Sequence, residues 1–184
     1  MSPTPIAVIV GSLRRESFNL QLADALIRLG PSGFAFEKLR LDDLPLYNQD
    51  EETTPPEAVR RLKAQVAAAR GVIFVTPEYN RSIPGVLKNA LDHASRPYGQ
   101  SAWAGKPAGI LGVSPGAVGT ATAQQHLRTI LAYLDMPVMG QPEAFIQAKE
   151  GLFDSAGNIG AGSRDFLQGW MDRFAAWVGA HATH

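Results

Sequence analysis

Cysteine is absent from all 184 residues of the sequence. This absence excludes disulfides, thiolate metal ligands and thiol nucleophiles, whatever the compartment. Any redox chemistry must therefore belong to a bound cofactor, for which the protein supplies binding, orientation and electrostatics. We predict no metal site.

Net charge is absent as well, because 17 Lys and Arg side chains balance 17 Asp and Glu side chains. No block of Lys or Arg occurs anywhere in the chain. Binding to nucleic acid or to an anionic membrane through charge requires a positive patch. The balance therefore favours a small-molecule partner and predicts that the protein binds neither nucleic acid nor membrane.

Long hydrophobic runs are missing too, since none approaches the roughly 20 residues that span a bilayer. The first ten residues, MSPTPIAVIV, lack the basic start and the cleavage site of a signal peptide. These absences predict a soluble, cytoplasmic protein. A chain of 184 residues suits one hydrophobic core, so we expect a single domain over residues 1–184.

Histidine is scarce, with four in the chain. His93 and His126 lie inside helical patterns, whereas we expect His181 and His184 to lie in a terminal tail. Hydrolysis or acyl transfer requires a base that meets a nucleophile. We see no such pair, and we predict no catalytic side chain.

A buried strand followed by a polar loop opens the chain, as IAVIVGSLRRESFN at residues 6–19. A helical pattern begins near Ser17. The first N–H groups of a helix lack partners and lie at the positive end of its dipole, so this loop suits a phosphate. The candidate donors are the side chains of Ser12, Ser17 and Asn19, with a charge-assisted pair from Arg14 or Arg15.

The loop contains neither of the two commonest phosphate motifs, since residues 12–18 hold no glycine. Hydroxyl and arginine side chains would replace the glycine backbone, which suits the terminal phosphate of a mononucleotide. The alternative is that Ser17 only caps the helix and that the arginines are solvated.

Five strands alternate with five helices along the chain. The strands are predicted at residues 6–10, 34–41, 71–76, 108–113 and 136–139, with 145–146 as a possible extension of the last. The helices are predicted from about 17 to 30, 56 to 69, 86 to 94, 120 to 134 and 165 to 178. The pattern predicts an α/β, doubly wound parallel sheet in the order 2-1-3-4-5, with helices on both faces.

Two further segments carry predictions. Residues 42–56 form a long loop that is either functional or held down by the apolar stretch LPLY at 44–47. In the last helix, Phe166, Trp170, Phe174 and Trp177 form a stripe that we assign to the core.

Three polar loops follow the strands that we expect at the centre of the sheet: GSLRRESFN at 11–19, PEYNRSIPG at 77–85 and SPGAVG at 114–119. Ligands of doubly wound sheets bind outside the carboxyl ends of such strands. The second loop offers backbone groups and an aromatic side chain for a flat heteroaromatic ring. A ring with a terminal phosphate at this position indicates flavin mononucleotide, FMN.

These three stretches resemble the signature stretches of the NAD(P)H-dependent FMN reductase family, in particular its quinone and chromate reductase branch. The resemblance extends over nearly the whole chain in order and spacing. It implies a flavodoxin-like fold, bound FMN, NADPH or NADH as substrate, and reduction of quinones or similar oxidised acceptors. It also implies homodimers or homotetramers.

The resemblance further implies which residues bind the cofactor. The family residues that contact the FMN phosphate correspond to Ser12, Arg14, Ser17, Phe18 and Asn19. Those that contact the isoalloxazine ring correspond to Pro77, Glu78, Tyr79 and Asn80. The family residues that line the other edge of the ring correspond to Ser114, Pro115 and Gly116. Arg81 departs from the family pattern, which often has an aromatic residue there. It either attracts an anionic acceptor or the NADPH phosphate, or is a surface or interface arginine.

Hydride transfer through flavin N5 in ping-pong fashion is the mechanism that this resemblance implies. Two other functions fit parts of the sequence. A flavodoxin-type electron carrier has no substrate turnover of its own, and a phosphate-ester-binding module holds no flavin.

Overall fold

Five parallel strands form one sheet in a computed structural model that describes residues 2–181. His184 lies outside the described residues. The strands are β1 (Thr4–Val10), β2 (Phe34–Lys38), β3 (Gly71–Val75), β4 (Ala108–Ser114) and β5 (Phe145–Gln147). Their spatial order is β2-β1-β3-β4-β5, which confirms the predicted doubly wound topology.

The helices cover both faces of this sheet. They are α1 (Phe18–Ile27), α2 (Glu57–Ala68), α3 (Gly85–Ala94), α4 (Ala121–Tyr133) and α5 (Ala161–His181). Apolar residues of α2, α3 and α4 form one core with Trp103, and those of α1 and α5 form the other. Every residue of β3 is buried, as the unbroken apolar run GVIFV predicts for a strand covered on both faces.

The fifth strand was predicted at residues 136–139, and this prediction is wrong, whereas the possible extension at 145–146 forms the observed β5. The observed β5 pairs with the carboxyl end of β4, from Gly112 to Ser114. Residues 136–139 lie beside the start of β4 and make a single bridge, between Val138 and Ala108. The Pro137 carbonyl accepts from the Ala108 N–H, and the Met139 N–H donates to the Ala108 carbonyl. Pro137 has no N–H of its own, so the pairing cannot continue towards Lys106.

The last helix buries Trp170 and Phe174 as predicted, and Trp177 packs against the core partly buried, but Phe166 does not belong to the buried stripe. Its buried residues are Leu167, Trp170, Met171, Phe174 and Val178. Phe166 is 47% exposed, because it lies outside this stripe on the helix surface. His181 ends the helix instead of lying in a tail, and its ring stacks on Trp177 with 3.7 Å between centroids.

The long loop after β2 is held against α3, as the tether interpretation predicted. The Tyr47 N–H donates to Asn89 Oδ1 at 2.8 Å, and Asn89 Nδ2 donates to the Pro45 carbonyl at 2.8 Å. Leu44 packs against the core. Leu46 differs from the prediction, since it is 85% exposed.

Among residues 2–181, no helix combines the length and the apolar character that crossing a bilayer requires.

Candidate functional site

Three loops open at one edge of the sheet because β1, β3 and β4 are neighbouring parallel strands. We call residues 11–17 the β1 loop, residues 76–84 the β3 loop and residues 115–120 the β4 loop. They lie at the carboxyl ends of their strands, and the direction in which successive strands are added to the sheet reverses between β1 and β3. This is the position at which doubly wound sheets bind ligands.

Gly11 brings the β1 loop into contact with the β3 loop. A Cβ atom on Gly11 would lie 3.2 Å from Thr76 Oγ1 and 3.3 Å from Pro77 Cδ. The Gly11 N–H also donates to the Val75 carbonyl at 2.9 Å. A side chain at this position would therefore push the two loops apart.

Ser17 is the N-cap of α1. Its Oγ accepts hydrogen bonds from the Asn19 N–H at 3.2 Å and the Leu20 N–H at 3.3 Å. Both bonds use the oxygen as acceptor, so the hydroxyl hydrogen can still be donated to an anion at the helix N-terminus. The capping interpretation of Ser17 is thus correct, and it is compatible with phosphate binding.

Asn19 joins the start of α1 to the end of β4. Its Nδ2 donates to the Val113 carbonyl at 2.9 Å, and its Oδ1 accepts from the Val113 N–H at 3.0 Å. The residue is buried. This arrangement differs from the predicted side-chain contact with phosphate, because both polar atoms of the amide are engaged within the fold. Sequence reasoning missed the link, since its two residues lie 94 positions apart.

The other β1-loop candidates face solvent. Arg14 and Arg15 are exposed, and Phe18 is partly exposed at the first position of α1. Arg14 lies 3.9 Å from the carboxylate of Glu16, a distance at which an exposed ion pair contributes little. The guanidinium is therefore able to turn towards a bound anion at small cost.

The β3 loop ends in a tight reverse turn. Tyr79 and Ser82 exchange two backbone hydrogen bonds of 3.0 Å each. Between them Asn80 and Arg81 have φ angles of 51° and 66°, the left-handed conformations of a type I′ turn. Tyr79 is exposed, whereas Pro77 is buried beneath the turn.

The side chain of Glu78 is largely buried, with 9% of its surface exposed. Its Oε2 accepts from the Ala123 N–H at 3.1 Å, in the first turn of α4, and its Oε1 accepts from Arg81 at 3.2 Å. A carboxylate is favourable at a helix N-terminus. The side chain thus fixes the β3 loop to α4.

The β4 loop is braced from within. The Ser114 hydroxyl donates to the Gly119 carbonyl. Gly119 has a φ of 63°, and a Cβ atom there would lie 2.8 Å from the carbonyl carbon of Phe145. Pro115 and Gly116 remain exposed beside the crevice.

These features fit a flat ring that carries a terminal phosphate. The β1 loop combines a helix N-terminus with serine hydroxyls and two exposed arginines. Exposed apolar side chains border the three loops, namely Leu13, Phe18, Tyr79 and Val118. Such side chains are suited to contact an aromatic ring, while the phosphate lies at the start of α1.

Comparisons with known proteins find similar sequences over most of the chain. A model of the NADPH-dependent FMN reductase family matches residues 4–151. A 2-hydroxy-1,4-benzoquinone reductase from a Burkholderia species is 58% identical over 174 residues, which cover 94% of this chain and 95% of the relative. A quinone reductase from Pseudomonas putida is 51% identical over 174 residues, covering 94% of each protein.

A solved structure is similar over the same extent. FerB, a flavoenzyme NAD(P)H:(acceptor) oxidoreductase from Paracoccus denitrificans, matches with a TM-score of 0.94 at 42% identity. The match covers 98% of this chain and 100% of that one.

Proposed function

The chain belongs to the NADPH-dependent FMN reductase family, and on that premise we propose that it reduces quinones at the crevice between its three loops. It is an FMN-dependent NAD(P)H oxidoreductase. The observation that carries the choice of site is the convergence of the β1, β3 and β4 loops at one edge of the sheet. Two relatives are named quinone reductases, at 58% and 51% identity, which supports the acceptor class.

The residues present fit FMN, and we assign them as follows. Ser12, Arg14, Ser17 and Phe18 bind or border the phosphate at the start of α1, with Asn19 holding that helix in position. The backbone of Pro77, Glu78, Tyr79 and Asn80 faces the ring, and Ser114, Pro115 and Gly116 line its other edge. When bound, FMN supplies hydride transfer through N5, in a ping-pong sequence between NAD(P)H and the acceptor.

The β3 turn provides hydrogen-bond donors at fixed positions. The N–H groups of Tyr79 and Ser82 are used inside the turn, whereas among the described residues no backbone acceptor is paired with those of Asn80 and Arg81. Donors held in place before the reaction stabilise negative charge without reorganising. We assign to the N–H groups of Asn80 and Arg81 the role of stabilising the negative charge that a bound flavin would carry in its reduced form.

We further propose that residues 1–184 act as one FMN-binding domain in the cytoplasm, in a homodimer or homotetramer. The small-molecule partners are the nicotinamide donor and a quinone.

The absorption spectrum and turnover of the purified protein test this function. We expect flavin bands, and we expect NADPH or NADH to be consumed when 1,4-benzoquinone is added without a separate reductase. A flavin-containing protein that takes electrons only from another reductase would be a carrier. A colourless protein whose thermal stability does not respond to FMN would contradict flavin binding altogether.

The phosphate assignment has its own test, the double variant Arg14→Ala/Ser17→Ala. We expect it to purify without FMN, because it loses a charged and a neutral phosphate donor. Ser17→Ala also removes the helix cap, at a cost of about 1 kcal/mol. Thermal melting of the single variants therefore accompanies the flavin measurement. Undiminished flavin in the double variant would contradict the assignment.

A further inference from the structure

Arg81 occupies a costly backbone conformation beside the crevice. Its φ of 66° places it in the left-handed region, which residues other than glycine adopt at a cost of about 1 kcal/mol or more. Asn80, which shares the turn, belongs to the residue types that tolerate this region best, but arginine does not. The two hydrogen bonds between Tyr79 and Ser82 hold the conformation. The position from which the Arg81 side chain leaves the backbone is therefore fixed by the turn.

The charge of Arg81 is only partly neutralised. Its partner is Glu78, whose carboxylate is also bound to the Ala123 N–H at the positive end of α4. One guanidinium nitrogen makes the contact with Glu78, and 71% of the Arg81 side chain is exposed. Most of its five N–H donors therefore face solvent at the rim of the site.

Glu78 is the one acidic residue of the β3 and β4 loops, residues 76–84 and 115–120. From α4, His126 contacts the turn, with its Nδ1 3.0 Å from Ser82 Oγ. This side of the crevice therefore favours a negatively charged ligand over a positively charged one.

We propose that Arg81 is a specificity-determining residue that favours quinones carrying an ionised hydroxyl group next to a carbonyl. The proposal rests on the quinone reductase function proposed above. In such an acceptor the ionised oxygen and the neighbouring carbonyl oxygen lie side by side, and both accept hydrogen bonds. The planar guanidinium of arginine binds two oxygens at once, which a lysine ammonium does less well.

The reaction balances without any further reactant. The hydroxyquinone anion gains one hydride, which originates from NAD(P)H, and one proton from water. It becomes the monoanion of the corresponding hydroquinone, and NAD(P)H becomes NAD(P)⁺. Arg81 takes no part in the transfer and serves to bind and orient the anion.

Three variants separate the charge of Arg81 from its place in the turn. Arg81→Asn removes the charge with a residue that tolerates positive φ. Arg81→Lys keeps the charge but loses the planar fork. Arg173→Gln removes one positive charge from an exposed position of α5 and is the matched control.

The measurement is the ratio of kcat/KM for 2-hydroxy-1,4-benzoquinone to that for 2-methyl-1,4-benzoquinone, with NADH as donor. Taking the ratio on one preparation cancels differences in flavin content. We expect Arg81→Asn to lower the ratio about 10-fold, as loss of one charge-assisted contact implies. We expect Arg81→Lys to lower it about 3-fold, and Arg173→Gln to leave it unchanged. Added NaCl lowers the ratio of the wild type and has less effect on Arg81→Asn.

Several outcomes overturn the proposal. An unchanged ratio in Arg81→Asn means that the residue does not select the acceptor. If Arg81→Asn slows flavin reduction by NADPH but not by NADH, and leaves the ratio unchanged, Arg81 instead binds the 2′-phosphate of NADPH. A wild-type protein that reduces neither quinone contradicts the proposed function itself, which distinguishes that failure from the failure of this inference.

Discussion

Asn19 and Glu78 are two single residues that hold the crevice together. Asn19 connects the start of α1 to Val113 of β4, and Glu78 connects the β3 loop to the first turn of α4. Both side chains are of types that bind ligands, yet each forms hydrogen bonds to a backbone group of a distant segment. These hydrogen bonds connect the elements that carry the three loops.

Replacing Asn19 tests this structural role. We expect Asn19→Ala to lower the free energy of unfolding by about 2–4 kcal/mol, because it leaves the N–H and carbonyl of Val113 without their partner. Urea unfolding measures the change. Ser17→Ala, which removes only the cap, is the comparison and should cost about 1 kcal/mol. An Asn19→Ala protein with unchanged stability but no flavin would instead make Asn19 a direct ligand.

At the scale of elements, α5 shows that packing against the sheet determines which face of a helix is buried. The helical period of 3.6 residues predicts a stripe in α5, but aromatic residues alone do not identify its centre. Trp170 and Phe174 are buried and stacked with 5.7 Å between ring centroids, whereas Phe166 is not part of the core.

Two truncations in α5 distinguish these positions. We expect Trp170→Ala to lower the free energy of unfolding by about 3–5 kcal/mol, the cost of emptying a fully buried aromatic site. Phe166→Ala, at an exposed position on the same helix, should cost less than about 1 kcal/mol. Thermal or urea unfolding gives both values. Equal losses would mean that Phe166 is buried in solution.

At the scale of the whole molecule, the segment between β2 and α2 is attached to both neighbouring helices. Asp43 accepts two hydrogen bonds from Arg61 of α2, at 2.7 and 2.8 Å. Further along the segment, Tyr47 and Pro45 are bound by Asn89 of α3. These contacts hold the segment against the core that contains residues of α2, α3 and α4.

The Asp43–Arg61 pair gives the stability of the protein a predictable dependence on pH. The hydrogen bonds from the Arg61 guanidinium lower the pKa of Asp43 from its ordinary value of 3.8. A group with a lowered pKa in the folded state stabilises the fold above its unfolded pKa, and this contribution is lost as the pH falls through the folded pKa.

Asp43→Asn tests this dependence. We expect a lower urea midpoint than wild type at pH 7, and we expect the difference to shrink as the pH falls below 3.8. Asp92→Asn removes an ion pair within α3 whose two side chains are more exposed, and it should change the midpoint less at pH 7. A difference for Asp43→Asn that does not vary with pH would contradict the ion-pair explanation.

The sequence by itself determined the features that depend on local pattern. Unbroken apolar runs identified β1, β3 and β4, helical periodicity identified the helices, and the polar stretches after the central strands identified the crevice. Their order along the chain was enough to predict the topology, because right-handed crossover connections allow few arrangements. Ser17 as a helix cap was also readable, since a cap and its helix are adjacent in sequence.

Only the tertiary structure decided which distant groups meet. Val113 is the partner of Asn19 across 94 residues, and Ala123 is the partner of Glu78 across 45, and neither separation leaves a local signal. The place of β5 was also decided in three dimensions. Residues 136–139 lie beside the start of β4 and make one bridge, whereas Phe145–Gln147 lie beside its carboxyl end and form a ladder, and the local pattern of either segment does not show which part of β4 it reaches.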